Sequence, residues 1–261
     1  MTAIHDIDAA TLAKSLRTSF VGRSLVAEFE LESTNITARE LAAADAPEGL
    51  VVIADHQTGG MGRNGRKWLS PPEKNLYFSL VLRPDCAPAA VPQLAILSAL
   101  SIAKALELTD VAVKWPNDVW MNGRKLCGIL STMSCTAERT EYAVIGIGIN
   151  VNMLEFPEDV PGTSLALETG HLFNRADILA RVLNAIEEDY LLWKQSASLE
   201  PFMGRWKKHS LLDGREISAE HGRDILYGTA CGITDHGLLK LRLEDGSITL
   251  VAAGDTHILL K

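Results

Sequence analysis

Two lysines, an aspartate and an asparagine fall close together in the run Val-Lys-Trp-Pro-Asn-Asp-Val-Trp-Met-Asn-Gly-Arg-Lys-Leu-Cys-Gly-Ile-Leu at residues 113–130. Strand-forming Val119, Trp120 and Met121 lead into Asn122-Gly123, the strongest short hairpin signal, and Leu126 to Leu130 carries the chain back. On such a hairpin Lys114, Asp118 and Lys125 can point into one shared site, where paired cations suit an anion. The plainer alternative is a hairpin whose charges face water while Trp115 and Trp120 pack inside.

A second constellation reads Gln57-Thr58-Gly59-Gly60-Met61-Gly62-Arg63-Asn64-Gly65-Arg66-Lys67-Trp68. Glycines let backbone N–H groups approach oxygens closely, and arginines add charge-assisted hydrogen bonds, so the loop suits an anion. Gly60-x-Gly62-x-x-Gly65 matches the dinucleotide fingerprint only formally, because Pro71-Pro72 and a strand follow where a helix is required. A P-loop fails as well, since Arg66-Lys67 stands where Lys-Ser/Thr is needed. A basic surface loop facing solvent remains the alternative on this segment alone.

Other motifs are weaker. Gly146-x-Gly148 in Val-Ile-Gly-Ile-Gly-Ile-Asn is most simply a tightly packed strand, with Asn150 at its end as the polar group of interest. The seven histidines, including His56 and His209, show no metal-ligand spacing, and no Gly-x-Ser-x-Gly supports a serine nucleophile. No metal cage of protein ligands is expected.

The elements that must position these residues follow from apolar spacing. Helices are expected near residues 8–16, over 35–45 behind the capping-type Ser33, Thr34 and Asn35, over Val91–Glu107, over 175–194 from Asn174, and on to about Lys208. Strands are expected at 24–31, Val51–Ala54, Leu76–Leu82 and Tyr142–Val151. From Asp213 onward glycines punctuate short apolar runs, with Asp245-Gly246 as a hairpin turn, which predicts a small all-β barrel. About 50 residues are marginal for independent stability, so this unit is expected to pack on the larger one. The expected domains are residues 1–210 and 211–261.

Composition bounds the rest. Of 261 residues 25 are basic and 33 acidic, a formal charge of −8 that argues against a general nucleic-acid binder. Cys86, Cys127, Cys135 and Cys231 form no Cys-x-x-Cys pair, which fits a reduced cytoplasm. No basic-then-apolar leader opens the chain, and no stretch approaches about 20 uncharged apolar residues, so a soluble cytoplasmic protein without membrane partners is expected.

Taken in order, Ser33-Thr34-Asn35, the Gly60–Trp68 loop, Lys114-Trp-Pro-Asn-Asp118, Arg124-Lys125-Leu126, Gly146-Ile-Gly-Ile-Asn150 and a terminal β unit resemble the biotin protein ligase family, the biotin–[acetyl-CoA-carboxylase] ligases. The resemblance spans nearly the whole chain. It implies an α+β catalytic domain on a mixed β-sheet, lipoate/biotin ligase-like, with an SH3-like C-terminal domain. It further implies ATP and biotin as substrates, Mg²⁺, a biotinyl-5′-AMP intermediate and a biotin carboxyl carrier domain as partner. Biotin would then meet Ser33, Thr34, Asn35, Gln57, Gly60, Met61, Gly62, Gly128 and Gly146. The nucleotide would meet Arg63, Arg66, Trp68, Lys114, Asn117 and Asn150, with Arg63, Lys125, Lys114 and Asp118 around the reacting groups.

One position departs: Met61 stands where family members commonly carry arginine, so a backbone N–H is the contact left there. The loop from about 58 to 68 is expected to be mobile when empty. Some relatives carry an N-terminal DNA-binding domain, for which 32 residues before Ser33 leave no room; no DNA partner is expected. A lipoate or octanoate ligase and a non-catalytic biotin-binding module stay as alternatives, and family members occur as monomers or homodimers.

Overall fold

The computed structural model describes Ile7 and residues 9–259. In chain order it has α1 (Ala9–Ser15), β1 (Leu25–Leu31), α2 (Thr34–Ala43), β2 (Val51–Gln57), β3 (Leu76–Leu82), α3 (Gln93–Leu106), β4 (Val111–Lys114), β5 (Asp118–Met121), β6 (Arg124–Cys135) and β7 (Thr140–Ile149). Then come α4 (Leu165–Thr169), α5 (Arg175–Trp193), α6 (Met203–His209) and the strands β8 (Glu216–His221), β9 (Asp224–Ile233), β10 (Leu239–Arg242), β11 (Ile248–Val251) and β12 (Thr256–Ile258).

Strands β1 to β7 form one mixed sheet ordered β1-β2-β3-β7-β6-β5-β4. The β1–β2 pair is parallel and the remaining pairs are antiparallel. Every residue of β3 is buried, because helices cover both faces of the sheet there. Ala38 and Ala42 of α2 pack on Val52, Val81 and Val144 on one face. On the other, α3 and α5 pack on Ile53, Phe78, Leu80 and Ile145. Asn174 caps α5 as its sequence position suggests, its Oδ1 accepting from Asp177 N at 3.2 Å.

The second sheet, β11-β10-β9-β8-β12, is antiparallel and begins after Ser210–Arg215 has crossed from α6. Its inner residues Ile217, Ala219, Ala230, Leu239, Leu241 and Val251 continue the large core, so the small unit packs on the large one as expected from its size. Trp115 is the seam: its Nε1 donates to Gly237 O at 2.9 Å, and its own carbonyl accepts from Thr256 Oγ1 at 3.2 Å.

Two expectations shift. Strand β6 runs to Cys135 rather than Leu130, since its later polar residues still pair with β7 through the backbone. The stretch Pro88–Leu106 is long and apolar enough to cross a membrane by composition, although the sequence suggested no such stretch; it is 78% buried and includes the core helix α3.

Candidate active site

The hairpin forms as its sequence suggests. Lys114 and Asp118 are register partners across the turn Trp115-Pro116-Asn117, whose Trp115–Pro116 peptide bond is cis. Asn122 and Gly123 turn β5 into β6 with positive φ of 49° and 77°. Lys125 thereby faces Asp118, with 2.8 Å between Nζ and Oδ1. Lys114 Nζ lies over the Trp120 ring, 4.9 Å from its centroid. Burial pushes the Lys114 ammonium below the usual lysine range; Asp118 opposes the shift and nearby Lys125 adds to it. Cys127, behind this cluster, is fully buried with its thiol pushed up by burial, which leaves it protonated and inert.

A floor of glycines lies beside the cations. Gly128 and Gly148 are register partners on β6 and β7, and Gly146 is on the same face two residues along. A Cβ on Gly148 would stand 2.4 Å from Trp68 Nε1, one on Gly128 3.0 Å from Trp68 Cζ3 and 3.2 Å from Lys125 Nζ, and one on Gly146 2.4 Å from Asn35 Nδ2. The glycines are therefore the condition for Trp68 and Asn35 to enter the cleft. Trp68 Nε1 and Asn35 Oδ1 are buried there without a hydrogen-bond partner.

The start of α2 closes the other wall. Thr34 N and Oγ1 donate to Gln57 Oε1 at 2.9 and 3.2 Å, Ser79 Oγ donates to Thr34 Oγ1 at 2.9 Å, and Ser33 is buried at the N-cap position with no side-chain cap bond. Gln57 Nε2 donates to Ser70 Oγ at 3.1 Å, beneath Gly60, where a Cβ would meet that same oxygen at 2.8 Å.

The glycine-rich loop folds over this cleft. Gly62 N donates to Arg66 O at 2.7 Å, Trp68 N to Gly60 O at 2.9 Å, and Met61 and Lys67 form an isolated bridge. Arg63 reaches the hairpin turn, with Nη1 donating to Asn117 Oδ1 at 3.0 Å. The loop thus has internal backbone pairing and side-chain anchors. Met61 is 53% exposed.

Asn150 sits behind Lys125: its N donates to Leu126 O at 2.9 Å and its Nδ2 to Lys125 O at 3.5 Å. Arg66 brings its guanidinium to Asp255 rather than into the cleft, with 2.6 Å between Nη2 and Oδ2. Two features had no sequence signal that singled them out: Asp255 itself, and residues 161–163, which run beside Lys125 through Lys125 N to Pro161 O (2.8 Å) and Thr163 N to Lys125 O (2.9 Å). A cavity of about 1060 Å³ opens along β4, lined by Lys104, Glu107, Trp120, Lys208 and Arg215 among others, away from the loop and the glycine floor. Among the described residues no three potential ligands from His, Cys, Asp and Glu gather to hold a metal ion.

Comparison with known proteins fits this geometry. Residues 26–150 match the biotin/lipoate A/B protein ligase family, and residues 214–256 match the biotin protein ligase C-terminal domain. The chain is 36% identical over 238 residues to the bifunctional ligase/repressor BirA of Bacillus spizizenii, covering 88% of this chain and 73% of that one. It is 32% identical over 236 residues to the biotin–[acetyl-CoA-carboxylase] ligase of Paracoccus denitrificans, covering 85% and 95%. The structure of biotin protein ligase from Aquifex aeolicus in complex with biotin and ATP superposes with a TM-score of 0.77 at 31% identity, covering 92% of this chain and 100% of that one.

Proposed function

The chain belongs to the biotin protein ligase family, and we propose that it joins biotin to ATP as biotinyl-5′-AMP and then passes the biotinyl group to a lysine of a carboxylase's biotin carrier domain. The observation that carries this reading is the meeting of Arg63, Lys114, Lys125 and Asn117 at the rim of a glycine-floored cleft that holds two unpartnered buried polar atoms.

Biotin's carboxylate is ionised at neutral pH, since an ordinary carboxylic acid in water titrates near ~4, so its attack on the α-phosphorus needs no base. Repulsion between two anions is the obstacle, and fixed cations lower it. In this reading Lys125 and Arg63 face the carboxylate and the α-phosphate while Lys114 and Asn117 face the nucleotide. Ser33, Thr34, Asn35 and Gln57 turn hydrogen-bonding groups toward the biotin ring. Magnesium would neutralise phosphate charge when bound, and of the carboxylates near the cleft Asp118 is the one that would be offered to it, since Asp255 is engaged by Arg66 and Arg63. The new C–O–P bond forms as pyrophosphate leaves.

In the second step an amine attacks the acyl carbonyl and AMP departs. The amine must lose a proton although a free lysine has a pKa of about 10.4. Lys125 cannot serve phosphate and Asp118 equally: once phosphate draws the ammonium, Asp118 is left to accept that proton. Four free thiols fit a reducing cytoplasm as the place of work.

The reading is tested with a purified carrier domain, Mg²⁺ and ATP, with biotin or lipoate in parallel, scoring the carrier by mass. A biotin-sized adduct on one lysine is the expected result. Modification by lipoate alone, or by neither acid, contradicts it.

A further inference from the structure

The two arginines of the glycine-rich loop are held from the C-terminal domain. Between β11 and β12, Asp255 Oδ2 lies 2.6 Å from Arg66 Nη2 and Asp255 Oδ1 lies 3.7 Å from Arg63 Nη1, while Gly254 O accepts from Arg63 Nη2 at 3.1 Å. Arg63 completes its set on Asn117 Oδ1 of the hairpin turn. The Asp255 side chain is 19% exposed.

The turn that presents this carboxylate is fixed from behind. Asp255 N donates to Glu220 Oε2 and Glu220 N to Asp255 O, both at 3.0 Å. Gly254 has φ +136° and approaches so closely that a Cβ would sit 2.3 Å from Glu220 O, which only glycine permits. The next residue, Thr256, is buried and donates to Trp115 O, at the head of the turn that carries Asn117. Two segments distant in sequence therefore close around Arg63, whereas Met61, Asn64, Gly65, Arg66 and Lys67 are otherwise exposed.

We propose that Asp255 is a positioning residue of the adenylation site: its carboxylate clasps Arg66 and Arg63 so that the loop stays closed over the acyl-adenylate, and retention of that intermediate depends on the C-terminal domain. The proposal rests on the reading that this loop covers the adenylate. A mixed anhydride survives only while water and exit are blocked, so each increment in the closed-to-open ratio lengthens its lifetime in proportion. One charge-assisted contact changes such a ratio on the order of 10-fold.

The test compares the wild-type chain with Asp255→Asn and Asp255→Glu. Enzyme loaded with labelled biotin and Mg-ATP is desalted and release of biotinyl-AMP is followed; separately, empty enzyme is treated with trypsin and cleavage after Arg63 is timed. Asp255→Asn is expected to release the adenylate and to be cut on the order of 10-fold faster, with Asp255→Glu recovering most of both. Wild-type rates for both in Asp255→Asn overturn the proposal. Should Asp255→Asn melt early, Arg66→Gln breaks the same contact from a side chain that is 62% exposed; its cleavage after Arg63 must then be accelerated, and an unchanged rate overturns the clasp. If the wild type forms no adenylate, the functional reading fails, while cleavage of the empty enzyme still decides the clasp.

Discussion

Lys125 Nζ lies 2.8 Å from Asp118 Oδ1 across the β5–β6 hairpin, so the cation proposed for the first half-reaction is paired with the carboxylate proposed for the second. In this proposal the two steps share one ion pair, whose partners would part when phosphate arrives.

Replacing Asp118 separates them. Asp118→Asn keeps the shape, frees Lys125 for phosphate and removes the proton acceptor. Transfer from preformed adenylate is expected to fall by about 10²-fold or more while adenylate formation changes much less. Single-turnover measurements of each step decide it; equal losses in both would refute the assignment of Asp118 to the amine.

The glycine floor gives a second test. Gly146→Ala puts a methyl 2.4 Å from Asn35 Nδ2, and the side chain must move out of the proposed biotin wall. The biotin KM is expected to rise, and kcat/KM for biotin to fall on the order of 10²-fold, with the KM for ATP little changed. A parallel rise in both KM values would mean that Asn35 does not face biotin.

Lys114 is expected to set an alkaline limit. Burial lowers its pKa, so its charge is lost at a lower pH than an ordinary lysine's, and phosphate attraction goes with it. kcat/KM for ATP is expected to decline on the alkaline side in the wild type, and Lys114→Arg, always charged, should lack that limb. Persistence of the limb in Lys114→Arg would assign it to another group.

Glu168 ties the hairpin to the segment beside Lys125. Its carboxylate accepts from Arg124 Nη2 at 2.9 Å, from Asn122 Nδ2 at 2.5 Å and from Thr163 Oγ1. Burial alone would raise its pKa, but these hydrogen bonds outweigh burial and hold it below the usual carboxylate range. A depressed folded pKa contributes stability above the unfolded pKa and loses it as pH falls through the folded one. Glu168→Gln should cost about 1–3 kcal/mol at pH 7 and converge with wild type in acid. Urea unfolding across pH measures this, and a difference independent of pH would contradict the role of the charge.

Local signals made part of this site legible. Alternation of Val119, Trp120 and Met121 with the Asn122-Gly123 turn sufficed to bring Lys114, Asp118 and Lys125 together, and Asn174 announced α5. Gly146-x-Gly148 read only as a packed strand because the reason for its glycines, Asn35 and Trp68, comes from other segments. The far half of β6 was hidden because Ser131, Thr132 and Ser134 break the apolar pattern while backbone pairing with β7 continues. Asp255 was illegible for a deeper reason: it meets Arg66 across 189 residues of sequence, through the docking of two sheets, and a Gly-Asp turn carries no local mark of that meeting.

The most direct measurement of the central claim is exchange of labelled pyrophosphate into ATP with Mg²⁺ and no acceptor protein, comparing biotin, lipoate and octanoate in the wild type and in Lys125→Ala. Exchange that requires biotin and falls on the order of 10²-fold or more in Lys125→Ala is the predicted result. Exchange supported only by lipoate or octanoate, or no exchange from folded protein that binds biotin, would contradict it.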